Sequence, residues 1–227
     1  YIILVESAKN LVPKFFDKTG ATYDGVVSYG TLGKDKYWKR KILEQISNGD
    51  SFLDLACGTG ILTRGIAEKF PNAKIVGIDI TESYLDVAKQ NSSSFDNISF
   101  ILDDAEEFKL DSKFDCITAS YLPKYCDPEM LVKNCVNHLK PDGKIIFHDF
   151  IYPKNLLVRG LWNFFLTFLR LVGYFIPSWK DALIGLPKLI RSTKWLQNYS
   201  DIMNKIGLNV SCQYLTYGAS AILIGTK

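Results

Sequence analysis

Residues that could bind a cofactor lie in the first half of the chain, where short apolar runs end. The run "FLDLACGTG" (52–60) contains Asp54 and then a turn with two glycines, Gly58 and Gly60. Such a bare turn between a buried strand and a helix lets a ligand approach the main chain closely. Asp79 ends the next apolar run, roughly 20 residues later, where a carboxylate can bind the two hydroxyls of a ribose.

The spacing around this turn does not fit the two common phosphate-binding loops. A dinucleotide-binding turn would have a third glycine where this chain has Thr63, and a Walker loop would continue with Gly-Lys-Ser/Thr. Asp54 could instead accept hydrogen bonds from turn amides or from a ligand ammonium. An adenosine ribose with a charged amino-acid tail and no phosphate fits best, which predicts S-adenosylmethionine. The alternative is a purely structural turn, with Asp79 capping the next helix.

The elements that position these residues alternate between strand and helix. We predict strands over 51–57, 74–80, 98–104, 114–121 and 144–150, and helices over 61–70, 82–91 and 127–139. Thr81 and Asp127 are the expected N-caps. A turn over 140–144 precedes the fifth strand, and a helix over 193–207 leads to two strands joined at Gly218. The pattern predicts an α/β fold, with a mostly parallel sheet, helices on both faces and a C-terminal antiparallel hairpin.

Composition and charge narrow the classes of function. The 227 residues carry a net charge of +3, which is too small to predict a nucleic-acid partner. The five cysteines form no CxxC pair, which favours a reducing, cytoplasmic interior. The two histidines, His138 and His148, have no ligand-spaced partner, so we expect no metal site. The chain begins at Tyr1 rather than Met, so we expect that residues preceding it are missing.

The motif "LDLACGTG" resembles the first motif of class I S-adenosylmethionine-dependent methyltransferases. The stretches "YDGVVSYGTLGKDKYWKRKIL", "LKPDGKIIFHDF" and "LTYGASAILIGTK" resemble the N-terminal segment, strand-five region and closing hairpin of the ubiquinone/menaquinone-biosynthesis C-methyltransferases. The resemblance covers nearly the whole chain and implies a Rossmann-like, seven-stranded class I fold in a single domain over 1–227. Its implied parts are a helical cover (1–48), a cofactor-binding core (49–150), a hydrophobic helical insertion or lid (151–192), and a closing helix and hairpin (193–227).

The resemblance also implies roles for individual residues. Thr59 is the expected cofactor contact in the turn, and Asp79 the ribose-binding acid. Asp104 and Ala105 are expected beside the adenine, and Ser120 near the methionine portion. Two tyrosines of the N-terminal cover, Tyr23 and Tyr29, are expected over the site. The cofactor-binding residues predicted in this way and from the turn are Asp54, Gly58, Thr59, Gly60, Asp79, Ile80, Asp104, Ala105, Ser120 and Tyr23.

The acceptor side departs from the resembled family. Those quinone enzymes carry Phe-Gly-Leu-Arg-Asn after strand four, where this chain reads "YLPKY", so that Lys124 and Tyr125 replace the Arg-Asn pair. The resemblance favours methylation of a ring carbon in a lipophilic demethyl-quinone precursor. The alternatives are another small molecule methylated on oxygen or nitrogen, and a non-catalytic lipid-binding partner with the same fold.

Methylation of a ring carbon requires help with protons. A neighbouring hydroxyl must ionise to activate the ring, and the ring proton must leave afterwards, so a base or a cationic group is expected near the transferred methyl group. The candidates for these catalytic roles are His148, Asp149, Tyr121, Lys124 and Arg191.

A hydrophobic stretch, residues 155–179, follows the fifth strand. Arg159 and Arg170 leave only ten uncharged residues between them, so it should not span a membrane. A narrow polar stripe runs along this otherwise apolar helix: Arg159, Asn163, Thr167 and Arg170. One hypothesis is a buried helix with this stripe in water. The other is a lid over an apolar pocket, or a surface in the membrane interface that makes the enzyme peripheral to the membrane. A homodimer is left open.

Overall fold

The computed structural model describes residues 8–16 and 19–227. The strands are β1 (Ser51–Leu55), β2 (Lys74–Asp79), β3 (Ile98–Leu102), β4 (Phe114–Ser120), β5 (Leu139–Phe150), β6 (Asn209–Leu215) and β7 (Ser220–Thr226). The α-helices are α1 (Leu11–Phe16), α2 (Tyr23–Gly30), α3 (Lys34–Gln45), α4 (Ile61–Lys69), α5 (Glu82–Asn91), α6 (Pro128–Asn137), α7 (Leu156–Gly173), α8 (Lys180–Ser192) and α9 (Trp195–Lys205). Residues 1–7 and 17–18 of the cover predicted over 1–48 lie outside the described residues.

The strands form one seven-stranded sheet in the order β3-β2-β1-β4-β5-β7-β6. The first five strands are parallel, and β7 pairs antiparallel with both β5 and β6. This confirms the predicted α/β class with its closing hairpin. The strand order reverses between β1 and β4, and in open α/β sheets ligands bind at the carboxyl ends of the strands on either side of such a switch point.

Apolar side chains cover both faces of the sheet. The central strand β1 contributes Leu53 and Leu55, which are completely buried, as expected for a parallel strand under helices on both sides. One face packs against α6 and α9 through residues such as Tyr199, and the other against α3 and α4 through Trp38 and Ile66. This burial fixes the carboxyl ends of β1, β2 and β4 relative to one another.

Two predicted local features differ in the structure. The turn expected over 140–144 is part of β5, where Asp142 has a φ of 60° and the register with β4 shifts, so the Pro-Asp-Gly sequence makes an irregularity within a strand. Asp127 caps α6 as predicted, because its side chain accepts a hydrogen bond from the Met130 amide. Thr81 occupies the N-cap position of α5 without a side-chain capping bond, and its amide instead donates to Asp79.

The hydrophobic stretch forms α7 and a short 3-10 turn at Pro177–Trp179, and α8 follows it within the helical insertion expected over 151–192. Gly173 is the one buried residue of α7, so the hypothesis of a buried core helix is wrong. The polar stripe is also divided. Asn163 bonds to Tyr152 and Arg191 of the protein body, whereas Arg170 is exposed. One apolar side of α7, which includes Phe164 and Phe168, lies open to solvent.

Candidate active site

The glycine-rich turn between β1 and α4 contains three residues in the left-handed region, Ala56 at a φ of 51° and two glycines. Gly58 has a φ of 57° and Gly60, the N-cap of α4, has a φ of 77°. Side chains adopt these angles at a cost of about 1–2 kcal/mol, which explains glycine at both positions. A Cβ on Gly58 would meet only a ring atom of Tyr23, at 3.9 Å. The turn therefore exposes its main chain to an open space in front of Tyr23.

Asp79 connects this turn to the end of β2. Its Oδ2 accepts a hydrogen bond from the Gly58 amide at 2.8 Å, and its Oδ1 accepts one from the Thr81 amide at 2.8 Å. The side chain is only 7% exposed, and burial raises the pKa of the carboxyl while the amides oppose the shift. The Thr81 side chain and the Ile80 amide also stabilise the charged form of this carboxylate.

Asp54 does not accept hydrogen bonds from the turn amides, which was one of the two roles predicted for it; the other, binding a ligand ammonium, stays a prediction. Its two oxygens accept hydrogen bonds from the hydroxyls of Thr63 at 2.7 Å and Thr118 at 2.8 Å. Thr118 lies opposite Asp54 on β4, and Thr63, the residue that breaks the dinucleotide fingerprint, lies on α4. Burial raises the pKa of Asp54 to about 6. The turn amide is bound by Asp79 instead, because β2 ends beside the turn.

Helix α2 lies against the turn and forms part of the cover. The Thr59 hydroxyl donates a hydrogen bond to Asp24 at 2.5 Å, which joins α2 to the glycine-rich turn. Tyr23 packs on Tyr84, with ring centroids 5.0 Å apart. Tyr29, also predicted to cover the site, is 82% exposed and does not line the cavity described next.

A cavity of about 520 Å³ opens beside the turn. Its lining includes these residues predicted to bind the cofactor: Gly58, Asp79, Ile80, Asp104, Ala105, Ser120 and Tyr23. Apolar side chains of α7 and α8 complete the lining, among them Trp162, Phe165, Leu169 and Ile190. A small adjoining cavity of about 20 Å³ is lined by Asp54 and Thr59, together with residues of the large one. Gly60 lines neither cavity.

Asp104 is held by neighbouring charges. Its Oδ2 forms a salt bridge with Lys9 at 2.6 Å, and its Oδ1 accepts the amide of Glu106 at 3.0 Å. Lys9 also pairs with Glu106, and these two carboxylates raise the pKa of the ammonium against the lowering effect of burial. This pairing brings the N-terminal segment to the end of β3, next to the place expected for an adenine.

Three predicted catalytic residues lie outside the cavity lining. His148 is completely buried, with Nδ1 2.9 Å from the Ser120 hydroxyl and Nε2 2.7 Å from the Ser220 hydroxyl. Burial holds its pKa well below the usual range, so the ring is neutral and fixes two strands. Asp149 is also fully buried and occupied by protein donors. Arg191 is exposed and donates to Asn163 at 2.8 Å.

The other two catalytic candidates, Tyr121 and Lys124, do line the cavity. The Lys124 ammonium pairs with Asp149 at 2.9 Å and lies 4.4 Å from the ring centroid of Tyr125. Burial lowers the pKa of Lys124 and raises that of Asp149, while their attraction opposes both shifts. The Tyr121 hydroxyl donates to Asp35 at 2.8 Å, and burial and Asp35 raise its pKa well above the ordinary value.

Sequence reasoning missed one residue behind this wall. Asp35 of α3 binds Tyr121 and also pairs with Lys39. Its only signal was its position in the stretch that resembles the quinone enzymes' N-terminal segment. Tyr125 was expected to be within reach of the transferred methyl group as well as a departure from that family. It lines the cavity, and its buried hydroxyl has no hydrogen-bond partner within the described part of the chain.

The comparison with known protein families decides the class. The profile of a methyltransferase domain family matches residues 46–161, which run from before β1 into α7. The chain belongs to this family. The match covers the turn, Asp79, the end of β4 and β5, which are the parts that build the cavity wall. The protein is an S-adenosylmethionine-dependent methyltransferase.

Individual relatives agree with this assignment over the full length of the methyltransferase. The ubiquinone/menaquinone biosynthesis C-methyltransferase UbiE of Hahella chejuensis is 28% identical, over 98% of this chain and 94% of its own. The demethylmenaquinone methyltransferase of Lactobacillus johnsonii is 28% identical, over 100% of this chain and 98% of its own. Curated proteins with these two names therefore resemble this chain from end to end.

Solved structures share the fold of the methyltransferase at low identity. The plantazolicin methyltransferase BpumL in complex with SAH has a TM-score of 0.67 at 14% identity, covering 100% of this chain and 97% of its own. The N-methyltransferase NodS of Bradyrhizobium japonicum, in complex with S-adenosyl-L-homocysteine, has a TM-score of 0.59 at 16% identity, covering 85% and 87%.

The residues of this chain fit S-adenosylmethionine. Gly58 leaves open the space that a Cβ would fill, and Asp79 presents a carboxylate at the end of β2 in the wall of the cavity. No lysine follows the turn to neutralise a phosphate. The bare turn is therefore suited to a nucleoside without phosphates.

Proposed function

We propose that this methyltransferase transfers a methyl group to a ring carbon of a lipophilic demethyl-quinone precursor, of the menaquinone or ubiquinone type. The observation that carries the proposal is the cavity. It measures about 520 Å³, it includes the turn and Asp79, and much of its remaining lining is the apolar side of α7 and α8. A pocket that combines cofactor residues with an extended apolar wall suits a ring with a hydrocarbon tail. The names of the full-length relatives support the same acceptor class.

Several residues would hold the cofactor in this proposal. Asp79 would bind the ribose hydroxyls, and Asp104 with Ala105 would lie beside the adenine. Asp54 and Ser120 would serve the methionine portion, where an ammonium would favour the ionised form of Asp54. When bound, S-adenosylmethionine supplies an electrophilic methyl group on a sulfonium. The contribution of the protein is then to orient the acceptor carbon in line with that methyl group.

The acceptor ring would meet the wall formed by the "YLPKY" segment. The unpartnered Tyr125 hydroxyl is a donor for a ring oxygen, because a buried hydroxyl without a partner costs about 1–3 kcal/mol that a ligand can recover. The Lys124 ammonium, held by Asp149, would stabilise negative charge developing on that oxygen. These two residues replace the Arg-Asn pair of the resembled enzymes and retain one cation and one polar group.

A route for the acceptor's hydroxyl proton follows from the Tyr121–Asp35 hydrogen bond. The raised pKa keeps Tyr121 protonated at neutral pH, so it is not itself the base. We assign it as a relay: its oxygen receives the acceptor's proton while its own proton passes to the Asp35 carboxylate. His148 then has a structural role, since both of its ring nitrogens are bound within the protein.

The test is a product assay with demethylmenaquinone and S-adenosylmethionine, in which mass spectrometry and NMR locate the new methyl group. We expect a C-methylated ring. Tyr125→Phe should raise KM for the acceptor without changing cofactor affinity, and Tyr29→Phe, at an exposed position outside the cavity, is the matched control. Methylation on oxygen would favour the phenolic acceptor class. Cofactor binding without turnover of any demethyl-quinone would reject the proposed acceptor.

We also propose the cytoplasm as the enzyme's location. All five cysteines are free thiols, four of them buried and Cys212 exposed. This fits a reducing compartment. Fractionation of cells that express the enzyme, before and after a high-salt wash, would test this location, and recovery only in an oxidising compartment would contradict it.

A further inference from the structure

Helix α7 presents a continuous apolar stripe to solvent. Its members are between 56% and 86% exposed and follow one another at spacings of four and three residues: Leu157, Leu161, Phe164, Phe168, Leu171 and Phe175. This spacing puts them on one side of the helix and its C-terminal extension. A stripe of six large apolar side chains is more than the scattered exposure normal for a soluble protein, and such patches mark interaction sites.

The other side of the same helix lines the cavity, through Trp162, Phe165, Leu166 and Leu169. Phe165 and Phe168 therefore have different surroundings, although only three positions separate them. A single layer of helix lies between the exposed stripe and the proposed acceptor pocket. Whatever covers the stripe is next to the pocket.

The segment that carries the stripe is also strongly basic. Residues 151–195 contain seven Lys and Arg and one acid, a net charge of +6, whereas the whole chain carries +3, so the remainder carries −3. Six of the seven are exposed: Lys154, Arg170, Lys180, Lys188, Arg191 and Lys194. None of the seven forms a salt bridge with a described residue. The segment that carries the stripe therefore has a net positive charge that can act on a partner.

We propose that the segment 151–195 docks the enzyme on an anionic lipid bilayer, with α7 lying in the plane of the headgroups. Exposed Leu and Phe next to Lys and Arg are the composition of interfacial helices. Each basic residue near an anionic surface contributes attraction that falls off within a Debye length. A second copy of the chain fits less well, because two surfaces of charge +6 would repel each other.

The contacts of α7 favour lying on a membrane over crossing it. Among the described residues, α7 is the helix that is long and apolar enough to cross by length and composition. Its polar positions are bound to the protein body, however: Asn163 bonds to Tyr152 and Arg191, and Arg159 lies 5.9 Å from the ring centroid of Tyr152. Crossing would break these contacts and uncover the cavity.

Docking would let a membrane-dissolved acceptor enter the pocket past α7 without passing through water. This consequence rests on the proposed function, whereas the docking itself does not. A bilayer partner also explains why α7 keeps an uncovered apolar side, since lipid tails would cover it.

The test is vesicle flotation with phosphatidylcholine alone and with equal parts of phosphatidylcholine and phosphatidylglycerol. We expect the wild type to float with the anionic vesicles and to bind neutral ones at least tenfold more weakly. Phe164→Gln with Phe168→Gln should reduce partitioning about a hundredfold, because each substitution removes the free energy that a phenylalanine ring gains on entering lipid. The matched control is Met130→Gln with Ile206→Gln, at exposed apolar positions outside α7, and it should bind like the wild type.

Two outcomes would overturn the proposal. One is a wild type that floats with neither vesicle, or a Phe164/Phe168 variant that floats as well as the wild type. The other is a wild-type dimer in light scattering that this variant converts to monomer, which would make a second copy the occupant. Activity on a tail-free acceptor, measured without vesicles, separates the two proposals. The Phe164→Gln/Phe168→Gln variant should keep this activity even when it no longer binds vesicles. A wild type that lacks this activity would reject the proposed function and leave the docking proposal intact.

Discussion

Replacing Asp79 with Asn separates the structural use of this carboxylate from its use by the cofactor. The two oxygens accept the amides of Gly58 and Thr81, each at 2.8 Å. Asn is nearly the same size, but it offers a single acceptor oxygen and directs an NH₂ group at the other amide. The substitution therefore breaks one of the two bonds between the end of β2 and its surroundings.

The magnitude follows from the charge and burial of Asp79. A hydrogen bond to a charged acceptor contributes about 1.5–3 kcal/mol to stability. Burial raises the pKa of Asp79, which means that burying its charge costs free energy. The neutral Asn avoids this cost, and this offsets part of the loss of the hydrogen bond. We expect a net loss of about 1–2 kcal/mol in the free energy of unfolding without cofactor. Loss of the ribose contact should weaken S-adenosylmethionine binding a further tenfold to hundredfold, roughly 1.4–3 kcal/mol.

Urea unfolding and isothermal calorimetry measure the two effects separately. Asp111→Asn removes one exposed carboxylate elsewhere and controls for net charge. If Asp79→Asn unfolds at the same urea concentration as the wild type, the two amide bonds do not organise the turn. If its cofactor affinity is unchanged while stability falls, Asp79 is structural only and the ribose is bound elsewhere. Either result would refute the account of the bare turn given above.

Other parts of the site give three further expectations. Lys124→Met leaves the fully buried Asp149 without its ammonium and should lower the free energy of unfolding in urea by about 3–5 kcal/mol. The double variant Lys124→Met/Asp149→Leu should recover most of this loss, and equal stability of the single and double variants would show that the two residues do not stabilise each other. Asp54, with its pKa of about 6, should bind the cofactor ammonium only when ionised, so the affinity measured by calorimetry should fall below pH 6 by up to about tenfold per pH unit. The affinity of Asp54→Asn should not depend on pH in this range, and a wild type without the dependence would mean that the ammonium is bound elsewhere. Gly58→Ala, at a φ of 57°, should cost about 1–2 kcal/mol of stability and also weaken cofactor binding, whereas Gly25→Ala in α2 should leave binding intact; equal affinities in both variants would mean that the turn does not face the cofactor.

The cofactor half of the site could be predicted from sequence because its signals are local. Short, nearly continuous apolar runs identify the parallel strands, and glycines or acids at their ends identify the edge where a ligand binds. The spacing could not show which carboxylate accepts the hydrogen bond from the amide of the turn. Asp54 and Asp79 both end apolar runs, and only the packing of β2 beside the turn gives the Gly58 amide to Asp79. The same packing turns Asp54 toward Thr63 and Thr118.

The acceptor half was less predictable because it depends on tertiary contacts. His148 and Asp149 occupy the expected edge of the sheet, but neighbouring strands and Lys124 bury them completely. Helix α8 was expected only as part of a helical insertion over 151–192, and its bounds were not predicted because Pro187 lies inside it and proline normally interrupts a helix. Pro187 is buried and lines the cavity, so packing against neighbouring elements stabilises a helix that its sequence disfavours.

Helix α7 shows the limit of periodicity most clearly. The pattern correctly predicts a helix with one polar and one apolar side. The orientation was predicted on the assumption that the solvent is water, which the polar side would then face. In the structure Asn163 uses its polar atoms on the protein body, while Phe164 and Phe168 extend outward. A polar side chain bound to protein with apolar rings directed outward is the arrangement stable in lipid, where an unpaired polar group costs several kcal/mol. The orientation of α7 is therefore consistent with a helix whose outer solvent is a membrane, and flotation of the Phe164→Gln/Phe168→Gln variant tests that reading directly.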